Sequence, residues 1–149
     1  MKRFSKVLMV GLMLLGAVGS REAAQAQQKS TQPATPRTAL KGLDPIEFVA
    51  GKAVQGKTSL FADYKHFRYV FADQKNKALF SKDPERYGIQ GDGTCPVVPK
   101  AKVDPDLVML YKGRIYAFAT LPCMGLFGKD PEKYLTKWPG SPTHQKKNG

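Results

Sequence analysis

The chain has 149 residues, two cysteines, two histidines and a formal net charge of +12. That length suits a single domain once leader and tails are set aside. With only His66 and His144, no pairing of histidine with a Ser or Cys nucleophile and a carboxylate can be argued from spacing, so no catalytic residue is assigned and a non-enzymatic protein is expected.

The chain opens with Lys2, Arg3 and Lys6, then the apolar run Val7 to Val18, then the small-residue site Ala24-Gln25-Ala26. This is the order of a secretory signal peptide over residues 1–26, cleaved after Ala26. The apolar run is well short of the ~20 residues that span a bilayer, so the mature chain is expected in the periplasm or secreted, with no transmembrane segment. Removing the leader's four bases and Glu22 takes the charge from +12 to about +9. In a cytosolic chain that excess would suit nucleic acid. Export puts nucleic acid out of reach and leaves a solvated basic surface, with at most weak attraction to an anionic envelope.

Residues 27–39 read as a flexible linker, because Gln27 to Arg37 is rich in Gln, Ser, Thr and Pro and has little apolar surface to bury. A first unit is expected over 40–98. In it Asp44-Pro45, Ile46, Phe48, Val49 and Gly51 spell a short helix with an N-cap, a proline at its first position and a glycine stop. Leu60 to Tyr64 and Phe67 to Phe71 form a hairpin turning at Lys65-His66, and Phe67, Tyr69 and Phe71 alternate onto one face. A helix over Gln74 to Ser81 leads into Lys82-Asp83-Pro84-Glu85. Asp83 there reads as an N-cap and Glu85 as a carboxylate facing the positive helix end, so these acids are structural.

Gly91-Asp92-Gly93 follows a helix rather than a strand and fails the context of a nucleotide fingerprint; Cys95 comes just after it. A second unit is expected over 99–139, with a hairpin of Val108 to Tyr111 and Ile115 to Phe118 through Lys112-Gly113. A helix over Pro122 to Gly128, weakened by Gly125, ends at Lys129-Asp130-Pro131-Glu132. Residues 140–149 form a polar tail.

These two stretches are the same sequence twice. Residues 64–87 align without a gap on 111–134 at an offset of 47, and about half of the paired positions are identical. Either copy alone would be marginal in size. The expected fold is therefore α+β: two small β-hairpin-plus-helix units that share one core. The sharpest difference between the copies is Cys123, which stands where the first has Asn76.

The hairpin with Tyr-x-Phe on its second strand, the short helix and the Lys-Asp-Pro-Glu-Arg/Lys-Tyr run resemble the YHS domain, a small module related to Cys-rich TRASH metal-binding domains. The likeness runs from Gly42-Leu43-Asp44-Pro45 through Gly91-Asp92-Gly93-Thr94-Cys95 to Trp138-Pro139, nearly all of the mature chain. The Tyr-His-Ser triplet is absent and Thr94 replaces the aromatic residue usual before the cysteine. In the metal-associated form of the domain, one cysteine precedes the hairpin and a Cys-x3-Cys pair follows Tyr-x-Phe. Cys95 and Cys123 match the first and last of these, and Ala119 takes the middle position.

The resemblance implies a soft-metal site, copper above all, at Cys95 and Cys123, since thiolates select Cu(I) or Zn(II) and a closed zinc site wants four ligands. A Cys95–Cys123 disulfide is the alternative, closing a loop of about 28 residues worth ~3.5 kcal/mol in an accessory domain that meets a protein partner. Free thiols are the third reading.

Overall fold

The computed structural model describes residues 35–142. The expected signal peptide, most of the linker, and His144 with most of the tail lie outside them. The fold is α+β.

After β1 (Arg37–Thr38) and a tight turn at Leu40–Gly42, Asp44 caps α1 (Pro45–Val49), accepting from the Ile46 N–H at 2.8 Å. The first hairpin is β2 (Lys57–Tyr64) and β3 (Phe67–Phe71), and β1 lies parallel along the free edge of β3. Next come α2 (Gln74–Lys82) and α3 (Pro84–Tyr87), capped by Asp73 and Asp83. A second tight turn, Gly91–Gly93, leads to β4 (Asp104–Tyr111) and β5 (Arg114–Phe118), a separate two-stranded sheet. The chain then forms α4 (Leu121–Lys129) and α5 (Pro131–Leu135), capped by Thr120 and Asp130.

The sequence repeat is a structural repeat. In each hairpin the register runs from Phe61 opposite Val70 to Tyr64 opposite Phe67, or from Val108 opposite Ala117 to Tyr111 opposite Arg114, with a bulge at the same place. The bulge extends both first strands further back than the aromatic runs suggested. Each core is a triangle of rings on one helix phenylalanine: Phe80 sits 4.8 Å from Tyr69 and 5.3 Å from Phe71, and Phe127 sits 5.2 Å from Tyr116 and 5.1 Å from Phe118. Such ring pairs add about 0.5–1.5 kcal/mol beyond the area they bury. On the surface, Tyr64 and Lys65 both donate to Glu85, and Tyr111 and Lys112 both donate to Glu132. The Tyr64 hydrogen bond is the main cause that lowers the Glu85 pKa, and the Lys112 contact does the same for Glu132.

The duplication also reaches further back than the sequence alignment, at an offset of 51 instead of 47. Ala39 N donates to Arg68 O as Gln90 N does to Ile115 O, and Asp44 N donates to Val54 O as Cys95 N does to Ala101 O. Thr38 lies parallel to Arg68 as Ile89 does to Ile115. The difference of four residues falls within the stretch that holds α1, which the second copy lacks. Two expected boundaries move as a result. The linker ends before Arg37, because residues 37–39 pair with β3 and Ala39 is buried. The second unit begins near Gly88 rather than at 99, so Cys95 belongs to it. The tail also starts later, since Ser141 is buried and its N–H donates to Trp138 O.

The two units share one core. Tyr69 of the first accepts from the Ile89 N–H of the second at 2.9 Å, and the Arg37 guanidinium meets Asp104 at 3.2 Å. Trp138 closes the far side by lying on Gly91. A methyl placed on Gly91 would stand 1.7 Å from Trp138 Cζ2, and the φ of +74° there already disfavours a side chain. Gly91→Ala should therefore lower unfolding free energy by about 2–3 kcal/mol in denaturant titration. Gly125→Ala, in a helix with nothing within 4 Å, should raise it by about 0.5–1 kcal/mol. A Gly91→Ala protein as stable as wild type would contradict the Trp138 contact.

Candidate functional site

The repeat identifies what each cysteine replaces. At the offset of 51, Gly42-Leu43-Asp44-Pro45 corresponds to Gly93-Thr94-Cys95-Pro96, and at 47 Asn76 corresponds to Cys123. In the first unit the two counterparts touch: Asn76 Nδ2 donates to Asp44 Oδ2 at 2.9 Å, with both side chains buried. The same Asp44 oxygen accepts from the Ala72 N–H at 2.7 Å, and Asn76 also donates to Glu47 Oε1 at 3.2 Å. One carboxylate thus ties the lead loop, α1, the end of β3 and the start of α2 together.

The second unit fills the equivalent joint with sulfur. Without α1, the donors at Ile46 and Glu47 have no counterpart in a helix. Cys95 is fully buried, and Cys123 is buried on the inner face of α4, where its Sγ accepts from the Thr120 hydroxyl at 3.3 Å. Both thiols are free and lie beyond disulfide or metal-binding distance of each other. Among the described residues no group of three or more His, Cys, Asp or Glu side chains converges on a point. The disulfide is therefore not formed, and the residues present do not fit a copper ion held between Cys95 and Cys123. Met124, half-buried, packs against the core. His66 is exposed in the first turn, with Nε2 3.5 Å from Asp92 Oδ1. Buried free cysteines behave as small apolar side chains, which explains why a joint that no longer organises α1 can do without its carboxylate.

The outer faces of the paired helices differ more. On α2 the exposed Gln74 and Lys75 keep polar groups in water, whereas α4 opens with Leu121-Pro122. Leu121 is 62% exposed and Leu126 46% exposed, with Gly125 between them bare of neighbours. Leu121 stands where α2 has Gln74, whereas Leu126 keeps the place of Leu79, which is half-buried. The inward positions are the same, with Phe127 in the place of Phe80 and Cys123 in that of Asn76.

Charge frames this face. Every Asp and Glu among the described residues holds a backbone N–H, a tyrosine or a basic side chain; Asp73, Asp83 and Asp130 are caps, Asp106 holds the Lys41 N–H, and Glu47 pairs with Lys52. The basic excess is not so occupied: Lys129 on α4 and Lys133 on α5 form no ion pair among the described residues. No family model matches the chain, and neither does a curated protein or a solved structure.

Two free, shielded thiols have a direct chemical readout. Intact-mass measurement after alkylation in denaturant, with no prior reduction, should show two added labels, and alkylation of the native protein for the same time should show at most one. No added label in denaturant would mean that the thiols are joined.

Proposed function

We propose that this chain is an exported, non-enzymatic, YHS-like accessory module that works by docking on another protein through the outer face of α4. The observation that carries this reading is the contrast between twin helices. Both bury the same two positions, yet α4 exposes Leu121 where α2 has Gln74, and exposes Leu126 where its match Leu79 is half-buried. Core burial does not call for leucines at these exposed positions; an external contact does. The partner surface that fits is apolar at its centre with a carboxylate beside it, since Lys129, at the end of α4, forms no ion pair among the described residues. Gly125 permits close approach of a partner backbone.

The reading of an exported protein rests on the leader-like sequence of residues 1–26, and the absence of catalysis on the structural use of the carboxylates. Copper binding through Cys95 and Cys123 is the weaker reading, because the two thiols do not meet.

A photo-crosslinking residue at position 125, and the same residue at the counterpart position 78 on α2, test the proposal in the cell envelope of the source organism. Position 125 should give a discrete crosslinked product that position 78 does not. Leu121→Gln with Leu126→Gln should abolish it, with a change in folding stability of no more than about 0.5 kcal/mol. Equal crosslinking at both positions, or an undiminished product in the double variant, would overturn it.

A further inference from the structure

The same comparison exposes a second inequality, at the end of the chain. In the first unit the Tyr69 hydroxyl accepts from the Ile89 N–H at 2.9 Å. The residue 47 positions after Ile89 is Thr136, and its N–H donates instead to Glu132 O at 3.1 Å, because α5 continues through Leu135 where α3 stops at Tyr87. Tyr116, the counterpart of Tyr69, is left without that donor. It is 2% exposed, and its hydroxyl has no hydrogen-bond partner among the described residues.

Tyr116 lines a cleft of about 220 Å3, with Leu135 and Pro142 as apolar wall and Lys112, Arg114 and Glu132 as its charged groups. Burial raises the Tyr116 pKa, and the charge of Arg114 pulls it back down. Their charges do not cancel. Glu132 is held by Lys112 and the Tyr111 hydroxyl, whereas among the described residues the Arg114 guanidinium hydrogen-bonds neutral oxygens, Gln90 Oε1 at 3.2 Å and Glu85 O at 3.4 Å. Among the described residues, a cation in no ion pair and a hydroxyl in no hydrogen bond thus face an apolar wall.

We propose that this cleft is a binding site for a small monocarboxylate with an apolar body. The carboxylate accepts from Tyr116 Oη and from the Arg114 guanidinium, a charge-assisted arrangement stronger than hydrogen bonds between neutral groups. The body lies on Leu135 and Pro142. A volume below the roughly 300–1,000 Å3 of drug-sized sites suits a ligand of about ten non-hydrogen atoms, with affinity on the order of 0.1–1 mM. The site is independent of the α4 face.

Benzoate and its neutral isostere benzamide, titrated into the full mature chain and followed by amide chemical shifts, separate charge recognition from apolar filling. Benzoate should bind at least tenfold more tightly than benzamide. Tyr116→Phe should weaken benzoate at least fivefold, and Arg114→Gln at least tenfold. Tyr69→Phe, the matching change in the first unit, should leave benzoate affinity within twofold. Thermal unfolding gives a readout without ligand: Tyr69→Phe should lower Tm by several degrees because Ile89 N–H loses its acceptor, and Tyr116→Phe should leave it within about a degree. Equal binding of benzoate and benzamide, or benzoate affinity unchanged in Tyr116→Phe, would overturn the assignment.

Discussion

A buried carboxylate holds only if donors surround it, and Asp44 has four: the N–H groups of Ile46, Glu47 and Ala72 and the Asn76 amide. Leaving buried donors without an acceptor costs about 1–3 kcal/mol for each group. Asp44 therefore sets the angle between the lead loop, α1 and the hairpin-helix body of the first unit. Because the lead of the second unit runs from the first, with Ile89 N–H on Tyr69, that geometry passes from one copy to the next. The rest of the fold depends on this joint being made once with polar groups.

The second joint is made differently, and that difference has consequences. Without α1 there is no helix start to cap, so Cys95 and Cys123 occupy the joint as small apolar groups. Relieved of pairing with α1, the helix after the hairpin keeps its inner phenylalanine and changes its outer residues. Because α5 runs on through Leu135, Tyr116 lacks the backbone donor that Tyr69 has, and it lines a cleft. Duplication has preserved what the core requires in both copies and released in the second what the first still uses for internal contacts. The Tyr116 cleft is a place where a contact internal to unit 1, the Ile89 N–H on Tyr69, has no equivalent in unit 2.

Much of the fold was legible in the sequence because it rests on local chemistry. The hairpin aromatics, the Asp-Pro helix starts and the offset of 47 gave both units and the shared core, and the bulges alone lengthened the strands. The earlier offset of 51 was hidden because only Gly and Pro recur in Gly42-Leu43-Asp44-Pro45 and Gly93-Thr94-Cys95-Pro96, and α1 interrupts the alignment. That gap concealed the partner of each cysteine. Cys95 and Cys123 were matched by position to metal ligands, yet whether two thiols meet is a matter of a few ångströms set by backbone packing, which residue spacing does not encode. The turn of Leu121 and Leu126 to solvent was hidden likewise, since an apolar helix read alone looks like a core helix.

Paired double-mutant cycles on the two joints test the central claim most directly. With denaturant unfolding as readout, Asp44→Ala and Asn76→Ala should couple by about 1–3 kcal/mol, as residues sharing a buried hydrogen bond do. Cys95→Ala and Cys123→Ala should be additive to within about 0.5 kcal/mol. Equal coupling energies at the two joints would contradict the view that the second copy has replaced a polar tie by two independent apolar groups.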